Sequence, residues 1–141
     1  MIKKYEGFFS NIFKKKEVNK KDINYNEIVK ISIETFTDLT DSGFSLKNSY
    51  DLNENFYVQI TKHYRGRQHK DIPYKFIKVK DDVLSFYDRV KEIEPDCNIK
   101  FSFVYENKEG GLSSKSPKYE EFERGDYDNR EVEILTIWIE E

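Results

Sequence analysis

Between Lys62 and Lys80 the chain reads K-H-Y-R-G-R-Q-H-K-D-I-P-Y-K-F-I-K-V-K, with seven cations, a single acid (Asp71) and a local charge of plus six. Tyr64, Tyr74 and Phe76 alternate with the charges, and His63 and His69 flank a glycine. Cations displace the counterions of a polyanion and flat rings offer faces on which bases stack. Lys62, Tyr64, Arg65, Arg67, Lys70, Tyr74 and Lys75 are therefore candidate polyanion-binding residues. The same pattern also suits an edge hairpin whose lysines prevent sheet-to-sheet association, or a contact to an acidic protein patch. The chain holds such a patch itself: Tyr119 to Glu141 has nine acids against two cations.

Other reactive side chains form no motif. His63 and His69 lie six residues apart with only Asp71 nearby, whereas zinc takes three or four protein ligands, so no metal site is expected. Cys97 is the only cysteine, which excludes an internal disulfide and a thiolate cluster, and no histidine in its neighbourhood would activate it. It is expected to be a buried structural thiol. Acid pairs such as Asp81/Asp82 and Glu120/Glu121 arise readily in a chain with 27 acids. Gly110-Gly111 lacks the Lys-Ser/Thr ending of a phosphate-binding loop. No catalytic residue and no cofactor are assigned, and the expectation is a non-enzymatic protein.

The elements that would position these groups begin with a basic leader. Ile2, Tyr5, Phe9, Ile12 and Phe13 share a helical face with Phe8 beside it, and lysines stand at both ends. Residues 1–22 are expected to be this amphipathic helix and a linker, followed by one domain over 23–141. Asn24 and Glu27 have capping spacing, and Ile28, Ile31, Thr35, Phe36 and Leu39 form a helical stripe ended by Gly43. Val29, Ile31 and Ile33 also alternate as a strand would, but only the helical pattern extends to Leu39.

Phe44, Leu46 and Tyr50, then Phe56, Val58, Ile60 and Tyr64, predict two strands of a hairpin. Ile72 to Val79 looks extended, which would make the basic segment a second hairpin with its tip near Arg65 to Asp71. Val83, Phe86, Tyr87, Val90 and Ile93 predict a helix with Asp81 and Asp82 in its first turn and Pro95 beyond its end. Ile99 to Tyr105 alternates, and Val132 to Ile139 is apolar on both sides, as in a central strand with Trp138 in the core. Residues 106–130 form a long loop in which Tyr119, Phe122 and Tyr127 could act as anchors. The expected fold is α+β: an antiparallel sheet of about five strands with two helices on one face, in the order helix-strand-strand-strand-helix-strand-strand.

Composition sets the outer bounds. The chain's 141 residues suit one domain with its own core. A charged fraction of 36% would permit disorder, but 16% aromatic content supplies the apolar area to fold. Alanine is absent, a bias that no folding rule demands and that AT-rich coding explains. Mean hydropathy is −0.83 and apolar runs are short, so neither a spanning helix nor a secretory signal is expected. These features point to a cytoplasmic protein.

Two resemblances bear on role. The order helix, three strands, helix over about 26–94 resembles double-stranded RNA-binding domains. The loop 51–55 carries no histidine, however, and Asp81 and Asp82 stand where that family has lysines, so its activity is not carried over. The leader K-K-Y-E-G-F-F resembles the capsid-targeting segments of small tailed-phage proteins, which implies a phage-encoded chain in the host cytoplasm or virion. On that basis Tyr5, Phe8, Phe9, Ile12 and Phe13 are candidate partner-binding residues. The alternatives are a helix docked on the domain and one lying on a membrane surface. The leading expectation is an interaction protein that binds a protein partner or virion component through the leader or basic hairpin. The other is sequence-nonspecific nucleic-acid binding.

Overall fold

The computed structural model describes residues 23–50, 55–62 and 72–141. Helix α1 (Tyr25–Thr35) starts where the sequence places its cap, with the Asn24 side chain accepting the Glu27 N–H at 3.2 Å. Ile28 and Ile31 enter the core. The helix breaks at Phe36, whose ring is buried, and resumes as the short α2 (Thr37–Asp41). Gly43, at φ 99°, then turns the chain into the sheet, a left-handed conformation that glycine takes without strain.

Strands β1 (Phe44–Tyr50), β2 (Phe56–Lys62), β4 (Asn98–Glu106), β5 (Leu112–Lys115) and β7 (Ile134–Glu140) form one antiparallel sheet in the order β1-β2-β7-β4-β5. The α+β architecture expected from sequence is present. β7 is the middle strand, the central position expected of its apolar run. Its Leu135, Ile137 and Ile139 meet Val58, Ile60, Phe101 and Phe103 beneath the helices.

Helix α3 (Ile77–Ile93) buries Val79, Val83, Phe86 and Val90 on that same face. Phe86 packs on Phe36 at 5.3 Å, and Arg89 reaches Glu34 and Thr35, which ties α3 to α1. Fully burying each of these apolar side chains stabilises by about 1.5–3 kcal/mol before entropy is counted. The sheet's other face carries Lys47, Tyr57, Gln59, Thr136 and Trp138, and no described helix packs on it.

Three expectations change. Ile72 to Val79 is not a strand of the main sheet. Only β3 (Tyr74–Lys75) is extended, and it pairs with β6 (Glu131–Val132) in a separate two-stranded sheet. Phe76 and Val79 share a helical stripe with Val83, so burying all three requires α3 to begin at Ile77. Asp81 and Asp82 consequently lie past its first turn. The 106–130 segment is no open loop either, because it contains β5 and α4 (Tyr119–Arg124). Phe122 is buried there, and Tyr119 and Tyr127 pack on the core, so the aromatic anchors act as expected.

Candidate functional site

The basic segment does not assemble as a site among the described residues. Tyr64, Arg65, Arg67 and Lys70 lie outside them, as do the leader candidates Tyr5, Phe8, Phe9, Ile12 and Phe13. Lys62 ends β2 with its Nζ 5.2 Å from the Phe44 ring, and its carbonyl accepts the Ile72 N–H at 2.6 Å. Tyr74 is only 5% exposed. Its hydroxyl donates to the Ile60 carbonyl at 2.8 Å, so its ring is a core element and cannot stack on a base. Lys75 stands opposite Glu131, and Lys80 is ion-paired to Asp128 at 2.9 Å. Lys75 and Lys80 thus face the chain's own acidic segment, one of the alternatives the sequence left open.

A better-formed surface lies at the other side of the sheet, along the outer edge of β4. The Val104 carbonyl accepts from Glu133 N–H, so its peptide groups point toward β7. Strand alternation then aims those of Ile99, Phe101, Phe103 and Tyr105 outward. β5 pairs with Phe103 and Tyr105 through Lys115 and Ser113. Continuing that register by two residues puts Pro117 opposite Phe101. Proline has no N–H to donate, and the ladder ends. Pro117 is buried and the chain veers away to start α4, so that among the described residues Ile99 and Phe101 have no strand on their outer side.

The space opened there is a cleft of about 550 Å³. On its helix side, the Tyr87 and Tyr119 rings stack with centroids 4.0 Å apart, and Tyr87 also stacks on Phe101 at 5.9 Å. Tyr119 donates to Asp88 at 3.0 Å. Burial, and then this acceptor, push its phenol well above the usual tyrosine range. Burial, and then Glu120, raise that of Tyr87. Both rings therefore stay neutral at physiological pH and present apolar faces. On the opposite side, Trp138 lies beside Lys100 in register and meets Tyr57 edge-on at 5.1 Å. Trp138 is thus half-buried at a cleft wall, not in the core. Lys100 is 57% exposed and pairs with Glu140 at 3.2 Å.

No family model, curated protein or solved structure matches this chain. The function must therefore be read from this geometry.

Among the described residues that line the cleft there is neither histidine nor cysteine. Cys97 is buried, and desolvation, partly offset by Lys91, raises its pKa, which leaves it a poor nucleophile. What the cleft offers is a short strand edge, unpaired among the described residues, between an aromatic wall and a mixed wall. That arrangement can hydrogen-bond an extended backbone and seat its side chains alternately. Sequence pattern does not reveal these residues, because β5, Leu-Ser-Ser-Lys, has no apolar alternation to announce a strand. Pro117, two residues past its end, was the available signal.

Proposed function

We propose that this chain is a non-catalytic interaction module that captures an extended segment of a partner protein by strand addition at Ile99–Phe101. The observation that carries this reading is the termination of the β4–β5 ladder by Pro117, with a cleft beside the edge it leaves open. Unpaired main-chain donors and acceptors on a strand edge are complementary to another backbone, and flanking pockets supply side-chain selectivity. Leaving such an edge free invites unspecific association. Here Ser116 to Tyr119 shield it on one side, which narrows access to a single strand.

A random peptide library selected on the full-length chain tests this. Bound peptides should shift the Ile99 and Phe101 amides in NMR spectra. Ile99→Pro, which removes an outward N–H and spares the bonds to β7, should weaken binding at least tenfold. Selected peptides that perturb residues elsewhere, or that bind the proline variant equally well, would overturn the proposal.

A further inference from the structure

We infer that the captured segment carries an apolar–acidic–apolar triplet, its acid opposite Lys100 and its apolar residues opposite Ile99 and Phe101. This rests on the strand-addition reading above.

In an added antiparallel strand, directly opposed residues point to the same face of the sheet. Partners of Ile99 and Phe101 therefore project toward the Tyr87 and Tyr119 rings. A Val, Ile or Phe there gains contact with these rings and loses water. Glu120, close enough to Tyr87 to raise its phenol, stands on this wall and disfavours an acid in either position.

The residue between them projects to the opposite face, next to Lys100 and Trp138. Directly opposed unlike charges stabilise a strand pair and like charges oppose it. Lys100 is the residue in direct register with that position and is well exposed. Glu140 lies opposite Asn98, one step along, and is already engaged by Lys100. A second cation, Lys118, also lines the cleft and is exposed. An acidic side chain would thus stand directly opposite Lys100, whereas a lysine would set like charges against each other.

The probes are fluorescein-labelled peptides with the core Thr-Val-Glu-Phe-Thr, its Thr-Val-Lys-Phe-Thr counterpart, and the Glu peptide N-methylated on its strand-pairing amides. Titrated by anisotropy against the full-length chain, the Glu peptide should bind roughly fivefold more tightly than the Lys peptide. Lys100→Glu should reverse that order, and Lys100→Met should abolish it. N-methylation should remove binding. Equal affinity of the Glu and Lys peptides, with N-methylation still abolishing binding, overturns the acidic preference and leaves strand addition standing. Binding that survives N-methylation, or absence of binding by all three, overturns both.

Discussion

The Glu94 carboxylate accepts the main-chain N–H of Asn24 at 2.9 Å, joining the end of α3 to the beginning of α1 across 70 residues. Glu94 is 7% exposed, one of the few buried polar side chains among the described residues. The first N–H groups of a helix lack intrahelical partners, and the helix dipole favours negative charge there. Glu94 and the Asn24 side chain between them satisfy two of the donors at this helix start.

Glu94→Ala should therefore destabilise the chain by about 1.5–3 kcal/mol, the net worth of a hydrogen bond to a charged group. Glu94→Gln keeps an acceptor oxygen and should lose less. Urea denaturation of the three proteins measures the order, and an alanine variant as stable as the parent would show that water replaces the carboxylate.

Phe122 anchors the 116–130 region to the core. Its ring lies 4.3 Å from Phe76, 4.8 Å from Phe101 and 6.0 Å from Tyr127, with no exposed surface. Phe122→Ala should cost about 3–5 kcal/mol, as large-to-small changes in a packed core do. Because the same ring touches Phe101, the amides on the β4 edge should also lose hydrogen-exchange protection in this variant.

Asp82 responds to pH in the opposite sense to a paired carboxylate. Burial, then Asp38 and Asp81, raise its pKa, so its ionised form is disfavoured in the folded state. The folded chain holds this proton more tightly than the unfolded chain, and ionisation at neutral pH costs stability. Asp82→Asn should raise the urea midpoint at pH 7. The gain should fade as pH falls through the carboxylate range, where the wild-type acid is neutral in both states.

Tyr25 extends the same logic to high pH. Burial first, then Glu141 and Tyr50, raise its pKa well above 10. Above pH 10 the unfolded chain releases this proton and the folded chain retains it, so stability should fall as pH rises. Tyr25→Phe keeps the ring contacts with Tyr50 and Phe56 at 5.8 and 5.4 Å and should flatten that fall. Denaturant midpoints at pH 9 and 11 provide the comparison, with absorbance at 295 nm following ionisation directly.

Much of the scaffold could be read from local pattern. Asn24 and Glu27 marked the α1 start, Val83 to Val90 marked α3, and the two-sided apolar run of β7 marked the sheet centre. The Ile72–Val79 error had a physical origin. Tyr74 and Phe76 on one side and Ile77 and Val79 on the other satisfy alternation, and only the demand to bury Phe76, Val79 and Val83 together selects the helix. The cleft was not legible for a different reason. It depends on which residue of β5 faces which residue of β4, and register is a property of the assembled sheet rather than of either strand alone.

That register supplies the last prediction. Pro117→Val restores the missing N–H at the position opposite Phe101 and introduces a β-branched side chain suited to a strand. β5 should then extend by one bonded pair, and the new amide at position 117 should become protected from hydrogen exchange. Any gain in sheet pairing works against the loss of proline's restriction of the unfolded chain, about 0.4–1 kcal/mol, so overall stability should change little. The functional effect should be larger than the thermodynamic one, because the edge offered to a partner strand is now occupied in cis. Peptides captured at β4 should bind the variant at least tenfold more weakly, with the Tyr87 and Tyr119 resonances unchanged in the free protein. If the amide at position 117 stays unprotected and peptide affinity is unaltered, the packing of Tyr119 on Tyr87, and not the missing donor, is what ends the ladder.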